Sequence, residues 1–123
     1  MAKKILIADD EPNIVISLEF LLKREGYDVV VARDGAEALV RVRAERPDLA
    51  ILDVMMPQRN GFEVCQDLRQ DPEFKTLQIM MLTAKGRDTE VSKGLALGAD
   101  AYMTKPFSTR ELIAKVKTLI DPT

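Results

Sequence analysis

The chain has 123 residues, 46% of them apolar and 31% charged: room for one compact domain, and too ordinary a balance for a disordered or fibrous chain. A net charge of −2 and the lack of histidine exclude a basic nucleic-acid footprint, histidine-based acid–base catalysis and histidine-ligated zinc. The single cysteine, Cys65, cannot close an internal disulfide, which fits a reducing compartment, and between Val64 and Leu68 it reads as a small buried hydrophobe.

No apolar run reaches the roughly 20 residues of a membrane span, and the opening MAKKILIADD meets its acids too early for a signal peptide. A cytoplasmic chain is expected, beginning at its methionine and forming one domain over residues 1–123. Residues 4–8 (KILIA) read as a strand. A helix follows over 12–25, with Pro12 in its first turn, a stripe of Ile14, Leu18, Leu21 and Leu22, and Gly26 as its stop. Residues 27–32 (YDVVVA) form a second strand, and Asp34 caps a helix over 35–45 whose apolar face is Ala36, Leu39, Val40 and Val42. A third strand spans 48–53 (DLAILD) and a third helix 61–70; a fourth strand spans 77–82 (LQIMML) and a fourth helix 88–97, ended by Gly98. Residues 100–104 make a short fifth strand, and Ser108 caps a last helix over 109–119, with Glu111 spaced as in a capping box.

Five βα units in a row, with strands apolar at consecutive positions, imply an α/β fold: a doubly wound parallel sheet between two helix layers. Ligands of such sheets sit beyond the carboxyl ends of the strands. That lip collects Asp9, Asp10 and Glu11 after the first strand, Asp53 to Pro57 after the third, Thr83 and Ala84 after the fourth, and Lys105 and Pro106 after the fifth. The second strand ends in Ala32 and Arg33 and adds no such group, which suits an edge.

Asp9, Asp10 and Asp53 are expected within several ångströms of one another, where like charges raise each other's pKa or require a cation. Lys105 alone cannot neutralise them. An all-oxygen donor set points to a hard divalent ion, Mg2+ above all. A helix N-terminus also attracts acids, so capping of the first helix remains a competing reading of Asp9 and Asp10. A carboxylate beside a metal can attack phosphorus and form an acyl phosphate, and Thr83 and Lys105 would then contact the phosphoryl oxygens.

The set DDE (Asp9, Asp10, Glu11), DVMMPQRNG (Asp53 to Gly61), TA (Thr83, Ala84) and KPF (Lys105, Pro106, Phe107) resembles response-regulator receiver domains of two-component signalling, the chemotaxis-regulator-like kind. The resemblance covers nearly the whole chain. It implies a five-stranded sheet of order 2-1-3-4-5, a flavodoxin-like three-layer sandwich, with Asp53 as phosphoacceptor. It implies Mg2+ held by Asp10, Asp53 and the Met55 carbonyl, with Asp9 direct or through water, Glu11 secondary, and Mn2+ able to substitute. Lys105 would pair with Asp53 or the phosphoryl group, ahead of a cis bond to Pro106. Thr83 and Tyr102 would switch together; packing under the last helix is the other reading of Tyr102.

The same resemblance implies a signalling domain that transfers phosphate to itself and loses it slowly, with no diffusible substrate turned over. Met55 and Lys85 stand at the two positions that tune the acyl-phosphate lifetime, and neither is suited to orient an attacking water. The donor would be a sensor histidine kinase or phosphotransfer protein, docking over Ile14, Ser17, Pro106 and Phe107, although Ile14 also belongs to the core stripe. The readout surface would be the fourth helix, fifth strand and fifth helix, available for an output domain or a homodimer, with no direct nucleic-acid or membrane contact. On that surface Lys93, Asp100, Glu111 and Lys115 are the charges, and Val91, Leu97 and Ala101 suggest a more apolar patch. Two rivals share parts of this picture. An FMN carrier is opposed by the acids of the first loop, which repel a phosphate, and a receiver-like scaffold without phosphorylation by the completeness of the residue set.

Overall fold

Ile5 and Ile7 project to one side of the first strand, Leu6 and Ala8 to the other, and all four are fully buried. A strand of that kind needs cover on both faces, which two helix layers supply. The computed structural model describes residues 2–84 and 88–121. In chain order its elements are β1 (Lys4–Ala8), α1 (Pro12–Arg24), β2 (Asp28–Ala32), α2 (Gly35–Glu45), β3 (Leu49–Asp53), α3 (Gly61–Gln70), a 3-10 turn (Pro72–Phe74), β4 (Gln78–Ala84), α4 (Asp88–Ala96), β5 (Ala101–Lys105) and α5 (Thr109–Ile120). All strand pairs are parallel, in the order β2-β1-β3-β4-β5. The expected doubly wound sheet is therefore the observed one, with β2 at an edge.

One core joins Leu6, Ala8, Leu52, Ile79 and Met81 to α2 and α3 through Ala38, Val42, Val64, Cys65 and Leu68. The other joins Ile5, Ile7, Ile51, Met80 and Leu82 to α1 and α5 through Leu18, Leu22, Leu112 and Val116. Each fully buried aliphatic side chain contributes about 1.5–3 kcal/mol, so the sheet is anchored by its centre. Cys65 is one of these core residues, as its flanks imply, and its thiol faces the Leu97 carbonyl at 3.7 Å.

Local chemistry sets the helix ends. Gly26, at φ 95°, closes α1, with its N–H on the Lys23 carbonyl and that of Tyr27 on Leu22. This bond holds Tyr27 in the helix cap, so β2 begins at Asp28, one residue later than expected. Asp34 caps α2 by accepting from Glu37 N at 2.8 Å. Asn60 and Glu63 form a full capping box on α3, which the sequence reading had not identified. Ser108 accepts from Glu111 N at 3.0 Å to cap α5.

In α1 the expected stripe packs on one core, Leu18 and Leu22 buried and Ile14 and Leu21 half-buried against it, with Val15 buried as well. Two expectations are corrected. In α2, Ala38 faces the core and Ala36 and Val40 face solvent, Val40 at 66% exposure. β4 runs two residues past Leu82, because Thr83 and Ala84 pair with Thr104 and Lys105 of β5. Thr83 is thus a strand residue rather than the first of a loop. The turn over Pro72–Phe74 was not expected, and the remaining boundaries differ by a residue or so.

Candidate functional site

Strand register assembles the site. Ala8 pairs with Leu52, so the next residues, Asp9 and Asp53, come side by side at the carboxyl ends of β1 and β3. Asp53 pairs with Leu82, which brings Thr83 one step beyond it, and Ala84 pairs with Lys105 one step further. Asp9, Asp53 and Thr83 are the buried polar side chains of the described residues, at 0%, 5% and 2% exposure, while Asp10 is exposed. Asp9, Asp10 and Asp53 each present a carboxylate oxygen within 4.8 Å of the others.

Lys105 Nζ lies 2.9 Å from Glu11 Oε1, 3.1 Å from Asp9 Oδ2 and 3.3 Å from Asp53 Oδ2. The Glu11 contact is an aligned hydrogen bond, whereas the Asp9 contact is an ion pair without that alignment. Glu11, expected only as a secondary metal contact, thus hydrogen-bonds the lysine that also pairs with Asp9 and Asp53. Neither Asp9 nor Asp10 is the N-cap of α1: that residue is Glu11, whose side chain makes no cap hydrogen bond. Asp9 Oδ1 instead accepts from Glu11 N at 2.9 Å.

Burial raises the Asp53 carboxyl from its ordinary value to about 7; the Asp9 charge adds to the rise, and Lys105 and the Met55 N–H oppose it. That N–H reaches Asp53 Oδ1 at 3.4 Å. Burial pulls the Lys105 ammonium down, but Glu11, Asp53 and Asp9 outweigh it and its pKa ends above the usual lysine range. Lys105 is the cation these acids need, and it is not enough for all of them.

Among the described residues, Asp9 Oδ2 and Thr83 Oγ1 are buried without a hydrogen-bond partner. A carboxylate oxygen with no hydrogen bond beyond its Lys105 ion pair, and a hydroxyl with none, at the edge of an all-oxygen cluster suit a hard cation and an oxyanion beside it. Asp10, Glu11, Asp53, Met55 and Lys105 line one cleft of about 300 Å³ over this cluster. The donors present fit Mg2+.

The other singled-out residues fall in two places. Ile14, Ser17, Pro106 and Phe107 meet in a groove of about 420 Å³ between α1 and the start of α5; Leu21, expected on the core stripe, and Phe20, which the sequence did not single out, also line it. The Lys105–Pro106 bond is cis, as the resemblance implied. Tyr102 pairs with Met81, diagonal to Thr83, and is 39% exposed with Lys115 Nζ 5.5 Å from its ring. Just past α4, Leu97 packs against one core, and Ala101 of β5 packs against the other, so of the three expected patch residues Val91, half-buried on α4, is the one that joins neither core. Asp100 is engaged inside the chain, 2.7 Å from the Arg69 guanidinium and accepting from Ile79 N. Lys85 lies outside the described residues.

The model of the response regulator receiver domain matches residues 5–117. The chain belongs to the response-regulator receiver family. This receiver is 52% identical over 120 residues to the alkaline phosphatase synthesis transcriptional regulatory protein PhoP of Bacillus subtilis (strain 168), a match covering 98% of this chain and 49% of that protein. The chain thus spans about half the length of that curated relative. Among solved structures it is similar to a protein of Chloroflexus aurantiacus J-10-fl described as a response regulator, at 38% identity and a TM-score of 0.95, with 98% of each chain covered. It is also similar to chemotaxis protein CheY4 of Vibrio cholerae, at 33% identity and a TM-score of 0.91, covering 97% of this chain and 99% of the other. A receiver domain of a signal transduction histidine kinase from Syntrophus aciditrophicus matches at 35% identity and a TM-score of 0.90, over 97% and 90% of the two chains. Receivers are the signalling domains of two-component systems, acting as phosphoryl acceptors with an acidic pocket for Mg2+. No helix among the described residues is long and apolar enough to cross a membrane.

Proposed function

We propose that this receiver is a phosphorylation-controlled switch in which Asp53 accepts a phosphoryl group from a histidine kinase or phosphotransfer protein. The observation that carries the reading is Asp53 itself: a carboxylate at 5% exposure, ending the central strand, with two further carboxylates and one ammonium around it. An Asp53 oxygen attacks phosphorus as the bond from phosphorus to the donor nitrogen breaks; the electron pair stays on the imidazole, and an acyl phosphate forms. Asp10, Asp53 and the Met55 carbonyl hold Mg2+, with Asp9 direct or through water, and Mn2+ can replace it. When bound, the ion offsets the negative charge of the carboxylates and of the incoming phosphoryl oxygens.

Lys105 releases part of its hold on the acids to meet a phosphoryl oxygen, and Thr83 donates its unpaired hydroxyl to another. Because Thr83 lies diagonal to Tyr102 across the β4–β5 pair, its movement opens space for the tyrosine to turn inward. The new phosphoryl contacts exist in one state only, which is what lets phosphorylation shift the α4, β5 and α5 surface. That surface then controls an output domain or partner, a homodimer included, without touching nucleic acid or membrane. The groove of Ile14, Ser17, Pro106 and Phe107 receives the phosphodonor protein. Residues 1–123 act as a single receiver domain in the cytoplasm, without turnover of a diffusible substrate, and Met55 leaves self-dephosphorylation slow.

The test is mass measurement after incubation with Mg2+ and a small-molecule phosphodonor. One phosphoryl group is expected on the native chain and none on Asp53→Ala. An equal gain in both chains, or none in either, overturns the assignment.

A further inference from the structure

The edge strand β2 brings no acid, hydroxyl or amine to the lip, yet the corner after it touches both acidic loops. Ala32 O accepts from Asp9 N at 3.2 Å. Three residues on, Gly35 N donates to Pro57 O at 3.4 Å, within the loop 54–60 that leaves Asp53. A Cβ on Gly35 would overlap the Arg59 carbonyl oxygen and stand 2.6 Å from its carbon and 2.7 Å from the Arg59 Cβ. These are backbone-fixed atoms, unable to swing aside, so α2 and the loop close up only because residue 35 has no side chain.

We propose that the corner of residues 32–35 is a brace that positions both halves of the carboxylate cluster, and that Gly35 is the positioning residue that sets the seat of the Met55-bearing loop. The brace is stiff on each side. On the α2 side, Asp34 caps Glu37 N at 2.8 Å while Arg33 N donates to Glu37 Oε1 at 2.6 Å. On the loop side, Arg59 N donates to Pro57 O at 2.8 Å, Gly61 N to Val54 O at 3.1 Å, and Arg59 pairs with Asp67 at 2.7 Å. A loop so tied moves as a unit. Displacing Arg59 therefore displaces Met55, whose N–H lies on Asp53 Oδ1.

The inference rests on the acidic cluster being the Mg2+ site. Its test uses the full chain, with Mg2+ affinity from calorimetric titration beside a thermal melt. Gly35→Ala is expected to raise the Mg2+ dissociation constant about 10-fold, the size of losing an outer support of a metal ligand. Gly26→Ala is the control: its φ of 95° strains a side chain, but nothing lies within 4 Å and it is remote from the site. That variant is expected to melt earlier with unchanged Mg2+ affinity. A Gly35→Ala chain that melts earlier yet binds Mg2+ like the native chain overturns the brace and leaves the glycine a packing residue. A native chain that binds no Mg2+ overturns the metal reading and the brace together. If Gly35→Ala does not fold, hydrogen exchange on the native chain decides instead. Coupling is reciprocal, so Mg2+ must slow exchange of the Gly35 N–H; exchange unchanged by Mg2+ overturns the proposal.

Discussion

Asp53 ionises against its surroundings. Its folded pKa of about 7 stands above the ordinary 3.8, chiefly through burial and then through Asp9. A raised carboxylate binds its proton more tightly in the folded state, so stability falls as pH rises from about 4 through about 7 and the full penalty applies above that. Asp53→Asn removes the penalty. In metal-free buffer at pH 8 the variant should be more stable than the native chain by about 1–3 kcal/mol, and the gap should close by pH 4. Thermal melts at both pH values check this; a variant less stable at pH 8 would show that Lys105 already compensates Asp53 fully. Lys105 works at the same scale as a built-in counter-cation, shared among Glu11, Asp9 and Asp53 at 2.9, 3.1 and 3.3 Å. On the proposed reading an incoming metal would compete with it for Asp9 and Asp53.

The elements turn strand register into site geometry. Because β1, β3, β4 and β5 are parallel neighbours, their carboxyl ends share one lip, and a one-residue slip in any pair would move its site side chain to the other face. The start of α3 holds the far end of the loop after Asp53: Asn60 Oδ1 accepts from Glu63 N at 2.9 Å and Glu63 Oε1 accepts from Asn60 N at 3.0 Å. Asn60→Ala should destabilise the chain by about 1 kcal/mol, within the 0.5–2 kcal/mol usual for a lost cap. A denaturation midpoint that does not move would show that Glu63 alone suffices. At the other end of the readout surface, Arg69 ties α3 to the start of β5 by donating to Gly98 O at 2.9 Å and to Asp100 at 2.7 Å. Asp100 is thereby spent within the chain, which weighs against its use in a charge-paired homodimer.

For the whole molecule the site is an unpaid electrostatic debt set on a well-packed sheet. Metal binding to the folded state alone adds stability by mass action, about 2.7 kcal/mol when free Mg2+ is 100 times its dissociation constant. Thermal melts with and without excess Mg2+ should therefore differ by several degrees. The difference should be larger at pH 8 than at pH 5, because protons compete for the same carboxylates. Equal shifts at both pH values would place the ion elsewhere, and no shift at either would overturn the metal reading. Asp53→Ala in the same melts should lose most of the Mg2+ shift, since it removes the central donor.

The order of strands and helices, the two apolar cores and the lip carrying Asp9, Asp10, Asp53, Thr83 and Lys105 were legible in the amino-acid sequence. Periodicity determines which elements form, and a parallel sheet brings its strand ends together whatever loops lie between. Finer choices were not legible. The sequence of α2 has apolar residues on more than one face, and only packing against the sheet selects Ala38 over Val40. The pairing of Glu11 with Lys105, 94 positions apart, needs both loops in place. Ala32 and Gly35 carry no chemistry of their own, so their part in holding Asp9 and the loop after Asp53 is invisible to a search for reactive side chains. Local pattern decides where a group stands along its strand; the distance between two groups is decided by backbone contacts that the tertiary structure alone contains.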